Sequence, residues 1–270
     1  MTIVGTLHAT SLQRIPGFSL RNNSANLEAD IKGVIPMGTF AALQELAWTY
    51  NRALVREGLV KQTFGNLSVI DRERGAVAIK PSGVAYDVMK PEDIVVVDLK
   101  NVVLEGKLRP SSDTKTHTYL YRQFPGIASV VHTHSTYAVA WAQALKPVPI
   151  LGTTHADYLP EDIPCTKIMS DRAIKGDYEE ETGKQIAQTF ARRSYADVPM
   201  VLVAAHGPFA WGKSAEEAVH NAVMMEELAR IAYLTVQINP RVARLKAALV
   251  RKHYERKHGA KAYYGQGKTQ

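Results

Sequence analysis

The pattern of apolar and polar positions predicts helices and short strands in a mixed order. From residue 39 to about residue 57, apolar residues recur every three or four positions, as expected for a helix with one buried face, and Gly58 follows as a stop signal. Short β-prone runs between turn residues predict strands at 67–70, 76–80, 94–99 and 102–104.

The second half of the chain continues this mixture without a regular βαβ period. Predicted helices cover residues 116–124, 135–145, 179–193, 214–237 and 241–257, and predicted strands cover 128–134 and 198–205. Ser135 and Ser214 are expected to cap the helices that they begin, and Glu217 completes a capping box with Ser214. We therefore expect an α/β fold with a mixed central β-sheet flanked by helices.

Residues 1–37 show no sustained periodicity and are rich in Ser, Asn, Pro and Gly. They are expected to form an N-terminal extension, flexible or laid across the surface, before one domain over residues 38–270. A hydrophobic content of 46% and a charged content of 22% suit a soluble globular protein with a real core. Apolar runs are too short to span a bilayer, no secretory signal is evident, and the single Cys165 excludes an intramolecular disulfide. We expect a cytoplasmic protein without a membrane partner.

The net charge of +7 and the pI near 9.3 suggest nucleic-acid binding only at first sight, because the excess charge is local. Residues 241–270 carry nine Lys/Arg and one acidic residue, so the rest of the chain is nearly balanced. The basic segment has three interpretations: a solvated helix face, a funnel for an anionic ligand, or a subunit contact. Nucleic acid is not expected as a partner.

Two histidines at the end of a predicted strand offer the start of a metal site. Alternate side chains of a strand point the same way, so His132 and His134 are expected on one face. His206, at the end of another apolar strand, offers a third ligand, and three histidines with an open position are typical of catalytic zinc. Asp113 could join the ligands or orient them. The alternative is that the pair is merely half-exposed and that His206 is an ordinary core histidine.

A second set of residues suits anion binding. Phosphate oxygens need convergent N–H, hydroxyl and amine donors. Three turns offer such donors: Gly65 and Asn66; Lys80, Ser82 and Gly83; Ser111 and Ser112. Each is weak alone, because Gly, Ser and Asn are ordinary turn residues. No phosphate-binding P-loop or dinucleotide glycine fingerprint is present, so no nucleotide cofactor is expected.

Asp157 and Tyr264 are candidate proton-transfer residues. A carboxylate and a phenol can each exchange a proton with a sugar hydroxyl within hydrogen-bond reach. Spacing alone does not join the two residues. Asp157 could equally cap a loop, and Tyr264 could be a docking aromatic.

Several segments together resemble a known enzyme family. In order, they are 79–84 (IKPSGV), 109–114 (RPSSDT), 132–135 (HTHS), 152–158 (GTTHADY), 206–212 (HGPFAWG) and 258–266 (HGAKAYYGQ). This set resembles the L-ribulose-5-phosphate 4-epimerases of the class II aldolase/adducin superfamily. The resemblance covers residues 38–266 and implies a three-layer αβα catalytic domain. The extension before residue 38 departs from the family pattern.

The resemblance implies roles for the candidate residues. It implies one zinc ion per subunit, held by His132, His134 and His206 with Asp113 close by, and a sugar phosphate bound by the three donor-rich turns. It implies that Asp157 and Tyr264 act as acid and base on opposite sides of the substrate, with His253 in support. It also implies a homotetramer with active sites between subunits, so that Tyr264 serves a neighbour's site.

The implied reaction interconverts L-ribulose 5-phosphate and D-xylulose 5-phosphate in pentose catabolism of the L-arabinose type. It cleaves and re-forms the bond between carbons 3 and 4. A sugar-phosphate aldolase of the L-fuculose-phosphate type is the near alternative, but in those enzymes a glutamate stands at the position of Asp113 and the segment around Asp157 is absent. A non-catalytic, adducin-like interaction module is a second alternative, which the three histidines argue against.

Overall fold

The structure, a computed structural model, describes residues 39–259 and residue 262. The predictions for residues 1–37 and for Tyr264 lie outside the described residues. The strands are β1 Asn66–Asp71, β2 Ala76–Ile79, β3 Val95–Asp98, β4 Val103–Glu105, β5 Ser129–His132, β6 Met200–Val203 and β7 Gly207–Gly212. The helices are α1 Ala41–Arg56, α2 Thr114–Gln123, α3 Thr136–Gln143, α4 Thr153–Ala156, α5 Asp171–Ile174, α6 Tyr178–Thr189, α7 Ala215–Ile238 and α8 Ala247–His258, with a 3₁₀ turn at Pro91–Asp93.

The seven strands form one sheet in the order β4-β3-β2-β1-β5-β7-β6. Neighbouring strands pair antiparallel, and, among the residues that the structure describes, one parallel bridge joins Cys165 to Leu202 at the β6 edge. Helices pack against this sheet, with α7 in contact with both α1 and α3, and α2 packed on α6. The prediction of an α/β fold with a central sheet flanked by helices is confirmed.

The central strands are buried because helices cover them. Every residue of β2, β5, β6 and β7 is buried, which explains why these strands are apolar or small rather than alternating. The pairing of β1 with β2 ends at Ser68, opposite Ile79. For the preceding residue, Leu67, the side chain of Asn51 on α1 makes the hydrogen bonds that a neighbouring strand would make. Its amide donates to the carbonyl of Leu67 and accepts from the Leu67 N–H, both at 2.9 Å. This contact fixes the start of β1, where Asn66 lies.

The prediction that residues 135–145 form a helix is confirmed for α3, but the expected cap differs. Ser135 occupies the N-cap, but its hydroxyl does not accept a hydrogen bond from a backbone N–H of the helix. Instead, the carboxylate of Glu226 on α7 accepts the N–H groups of Tyr137 and Ala138, each at 2.9 Å. A negative charge there also favours the positive end of the helix dipole. Ser214 does cap α7, because its hydroxyl accepts the N–H of Glu217.

Three other predictions needed correction. The strand predicted at 128–134 ends at His132, and residues 207–212, where no strand was predicted, form β7. The last helix begins at Ala247 rather than 241, and α8 contains no buried residue. Within the described part of the chain, no helix combines the length and the apolar character needed to cross a bilayer.

Candidate active site

Three histidines converge at one end of the sheet. His132 ends β5, His134 follows in the connection to α3, and His206 ends the connection between β6 and β7. The Nε2 atoms of His132 and His134 are 3.1 Å apart, and one donor atom from each of the three histidines lies within 4.8 Å of the others. They meet because β5 pairs with β7 and places His132 opposite Phe209.

Packing fixes the two rings of the pair. Nδ1 of His132 lies 2.9 Å from the carbonyl of Pro208, to which a protonated Nδ1 donates, and this leaves Nε2 directed at the cluster. The ring of His132 stacks on Phe209 with centroids 4.3 Å apart, and the ring of His134 stacks on Phe64 at 5.6 Å. The pair therefore sits in an orientation set by the surrounding aromatic rings and backbone.

The backbone around the cluster is tightly constrained. Gly65 has a φ of +82°, and a Cβ there would lie 2.7 Å from Val60 Cγ1 and 3.0 Å from the carbonyl oxygen of His132. Only glycine suits both the conformation and the space. Ala205, just before His206, has a φ of +60°, which is unusual for a residue with a side chain. The backbone conformation next to the histidines can therefore change very little.

Burial favours the neutral form of two of the three histidines, His134 and His206. Burial, with His132 nearby, lowers the pKa of His206 to about 4, and burial also lowers the pKa of His134. Neutral imidazole is the form that binds a metal. For zinc with Zn–N distances near 2.05 Å, tetrahedral geometry separates two nitrogens by about 3.3 Å. The 3.1 Å between the Nε2 atoms of His132 and His134 matches this separation, so the residues fit a zinc ion.

Asp113 lies beside the cluster but outside the group of three donor atoms. It is the N-cap residue of α2, and its Oδ2 accepts a 2.6 Å hydrogen bond from the amide of Asn66. Burial raises the pKa of Asp113, but His132, His117, His206 and the Asn66 hydrogen bond lower it by more, so the net pKa lies below the usual value. The carboxylate therefore stays charged. The Oδ1 atom of Asn66 is buried without a hydrogen-bond partner in the described structure.

His117, one turn after Asp113, was not identified from the sequence. Its Nδ1 lies 2.7 Å from the hydroxyl of Ser68, which in turn lies 2.8 Å from the Tyr121 hydroxyl. The residue is fully buried, and burial lowers its pKa to about 3. The spacing of four residues from Asp113 on one helix was the available signal, because it places both on the same face.

The turns predicted to bind phosphate are paired with each other. The N–H of Ser82 donates to the carbonyl of Arg109, and the N–H of Ser111 donates to the carbonyl of Lys80. Asn66 reaches the hydroxyl of Ser111 at 3.1 Å, which joins the third turn to them. The structure thus brings the three turns together. It also engages two of the expected backbone donors internally, and the Asn66 side-chain amide already donates to Ser111 and Asp113. The predicted phosphate donors that remain are Gly65, Lys80, Ser82 Oγ, Gly83, Ser111 Oγ and Ser112.

Lys80 is folded back on its own turn. Its Nζ donates to the carbonyl of Val84 at 2.6 Å and to that of Pro81 at 3.3 Å, and it lies 4.7 Å from the centroid of the Tyr86 ring. Burial lowers the pKa of Lys80 to about 8. As a charged group it carries a positive field into the turn that contains Ser82.

Asp157 follows α4 and is held by α8. Arg256 donates to both carboxylate oxygens, from Nε at 2.9 Å and from Nη2 at 2.7 Å, and Nδ1 of His253 lies 2.9 Å from Oδ1. Burial raises the pKa of Asp157, but the hydrogen bonds from Arg256 and His253 lower it by more. His253, which was predicted only as a supporting residue, therefore contacts Asp157 directly. Arg256 was missed, although its spacing of three from His253 on a helix was a signal.

Comparison with known proteins assigns the chain to a family. Residues 44–233 match the model of the class II aldolase and adducin N-terminal domain. An L-fuculose 1-phosphate aldolase is similar at 27% identity and a TM-score of 0.68, over 82% of this chain and 97% of that one. YgbL from Escherichia coli, described as a putative aldolase/epimerase/decarboxylase, is similar at 26% identity and a TM-score of 0.61, over 80% and 99%.

An L-fuculose-1-phosphate aldolase from Thermus thermophilus is similar at 25% identity and a TM-score of 0.58, over 74% of this chain and 97% of that one. The family match extends over most of the described residues, from α1 to α7, and includes all three clustered histidines. The chain belongs to the class II aldolase and adducin family.

Proposed function

We propose that this protein is a zinc-dependent epimerase that interconverts L-ribulose 5-phosphate and D-xylulose 5-phosphate. One observation carries the proposal: a charged aspartate, Asp113, held by Asn66 next to three converging histidines. The resemblance to the epimerases rests on this aspartate, because the related aldolases have a glutamate there. Asp157 supports the same choice, since it lies in a segment that those aldolases lack.

His132, His134 and His206 would hold the metal, which when bound supplies Lewis-acid polarisation of the substrate carbonyl. Asp113 keeps a negative charge beside the histidines, and it either completes the ligand set or orients it. The rings of Phe209 and Phe64 stack on the histidine pair and restrict the orientations of its two imidazoles. In this arrangement the protein fixes a carbonyl and its neighbouring hydroxyl in one orientation.

Two proton-transfer groups are required because the hydroxyl on carbon 4 changes sides. A base removes its proton, the bond between carbons 3 and 4 breaks, and glycolaldehyde phosphate forms with the enediolate of dihydroxyacetone. The aldehyde then turns, the bond re-forms on its other face, and an acid returns the proton. We assign these roles to Asp157 and Tyr264, with Tyr264 reaching a neighbouring subunit of a homotetramer. The lowered pKa of Asp157 favours its carboxylate form.

The phosphate-binding turns hold the aldehyde fragment while it turns. Asn66 connects these turns to Asp113, so the phosphate and the reacting carbons have a fixed separation. Lys80 contributes positive charge from within its turn. A cytoplasmic location and a pentose-catabolic role belong to the same proposal.

An aldolase of the L-fuculose-phosphate type is the second candidate, and the similarity to an L-fuculose 1-phosphate aldolase at 27% identity favours it. The two enzymes share the cleavage step and differ in whether the fragments leave. The three histidines therefore suit both reactions, and Asp113 and Asp157 distinguish them.

Product identification separates the two candidates. Zinc-loaded protein is incubated with L-ribulose 5-phosphate and, in parallel, with L-fuculose 1-phosphate, and the products are resolved by chromatography and mass spectrometry. The epimerase is expected to yield D-xylulose 5-phosphate. Release of dihydroxyacetone phosphate and lactaldehyde from L-fuculose 1-phosphate, without D-xylulose 5-phosphate from the first substrate, would support the aldolase instead.

A further inference from the structure

Tyr178 contacts the third histidine of the cluster through a direct hydrogen bond. Its hydroxyl lies 3.2 Å from Nδ1 of His206. His132 has the same arrangement, since its Nδ1 is occupied by the Pro208 carbonyl while its Nε2 faces the cluster. In both histidines a protein group occupies Nδ1, and this leaves Nε2 as the donor atom for a metal.

Helix α2 contacts the residue on each side of Tyr178, through one side-chain ion pair and one backbone carbonyl. The preceding residue, Asp177, accepts a 2.5 Å hydrogen bond from Lys115. The carbonyl of the following residue, Glu179, accepts a 2.7 Å hydrogen bond from Thr116. Asp113 begins the same helix, so a single element carries the aspartate and holds the tyrosine. Tyr178 thus connects α2 to the hairpin tip that bears His206.

We propose that Tyr178 is a positioning residue for the metal site: its phenol oxygen accepts the Nδ1 proton of His206 and so presents Nε2 to the metal. Without this contact, His206 would have two tautomers of similar energy and a less restricted ring. The other two histidines have aromatic rings stacked on them at 4.3 Å and 5.6 Å, whereas Tyr178 meets His206 mainly through its hydroxyl, with ring centroids 6.1 Å apart. The hydroxyl is therefore the group to remove.

This inference rests on the metal site of the proposed function, and the experiment uses Zn²⁺ binding rather than turnover. Tyr178→Phe removes one oxygen atom and keeps the ring. Tyr254→Phe is the matched control, because Tyr254 also makes one 3.2 Å phenol hydrogen bond, to Asp197 and not to a histidine. Zinc affinity is measured by competition with a chromophoric chelator, and the ligand geometry is followed through the visible absorption of bound Co²⁺. Circular dichroism of the metal-free proteins verifies folding.

Tyr178→Phe is expected to weaken zinc binding at least about 10-fold and to change the Co²⁺ spectrum, as for other partners of metal-bound histidines. Tyr254→Phe is expected to match the unmodified protein. Zinc binding by Tyr178→Phe within about twofold of the unmodified protein, or an equal loss in both variants, overturns the inference and leaves the proposed function intact. Failure of the unmodified protein itself to bind zinc overturns both.

Discussion

The histidine cluster and the region around Asp157 are built by different means. The cluster lies at the ends of central strands, with His132 only 1% exposed and its ring stacked on Phe209. Asp157 follows a four-residue helix and is held by α8, a helix without a buried residue. Core packing thus positions the candidate metal ligands, whereas charged hydrogen bonds position the candidate proton-transfer group. We therefore expect that the second region can be altered without disturbing the first.

The largest expected effect comes from removing a ligand. His134→Asn is expected to lose zinc and activity together, with activity falling at least about 10³-fold, because metal polarisation of the carbonyl contributes several kcal/mol. Zinc content and the epimerase assay measure the two losses. His220→Asn, which changes an exposed histidine on α7, is the control. An active, zinc-containing His134→Asn protein would contradict the ligand assignment.

The next prediction tests whether backbone packing sets the cluster. Gly65→Ala combines a positive φ with a close approach to His132, and it is expected to lower the free energy of unfolding by roughly 3 kcal/mol and to weaken zinc binding. Gly83 also has a positive φ, of +70°, but the space around it is open. Gly83→Ala is therefore expected to lower the free energy of unfolding by only about 1 kcal/mol and to leave the zinc affinity unchanged. Urea unfolding and zinc titration compare the pair. Equal effects would argue against the packing constraint.

The pH dependence of the free energy of unfolding tests the buried region around the histidine cluster. Burial lowers the pKa of His117 from 6.5 to about 3, so the folded state favours the neutral ring. The resulting stability is fully present above pH 6.5 and is lost as pH falls towards 3, because the unfolded chain binds the proton first. Between pH 7 and pH 5 this one group is expected to reduce the free energy of unfolding by about 2 kcal/mol.

Urea unfolding of the metal-free protein at several pH values measures the slope. A glutamine at position 117 cannot titrate. In His117→Gln the free energy of unfolding is therefore expected to fall by about 2 kcal/mol less between pH 7 and pH 5, whatever the absolute stability of the variant. An unchanged slope would show that His117 does not titrate differently in the folded and unfolded states. Asp157 behaves differently because its pKa is lowered in the folded protein. Its contribution to the free energy of unfolding is lost only as pH falls below 3.8, the ordinary pKa of an aspartate.

The smallest effect is expected at α8. Arg256→Met removes both of its hydrogen bonds to Asp157 and is expected to lower the free energy of unfolding by about 1 kcal/mol, because the pair is partly exposed to solvent. Hydrogen exchange in α8 should increase while zinc affinity stays unchanged. Arg251→Met, an exposed change on the same helix, is the control. A loss of zinc with Arg256→Met would show that the two regions are coupled.

The sequence was most informative where a local pattern determined the structure. The two-residue spacing predicted that the side chains of His132 and His134 point to the same side of the chain, and their rings do meet. The three-residue spacing of Ser214 and Glu217 predicted the N-cap of α7. Strand β7 was missed because its sequence begins Gly-Pro, which is typical of a turn, although pairing with β5 and β6 makes it an interior strand.

Contacts between distant segments could not be derived from local pattern. Asn66 and Asp113 are 47 residues apart, and their 2.6 Å contact depends on how α2 packs beside β1. Tyr178 and His206 meet because α6 packs against both α2 and β6, and nothing in the sequence near either residue indicates the other. The cap of α3 by Glu226 has the same origin, since it requires the packing of α7 against α3.

The connection between β6 and β7 has a consequence for how the family can vary. Three residues, 204–206, join the strands, and the left-handed Ala205 turns the chain so that His206 faces the cluster. An inserted residue would change the register and direct the histidine elsewhere. We therefore expect the length of this hairpin to be inherited unchanged wherever the histidine cluster is kept.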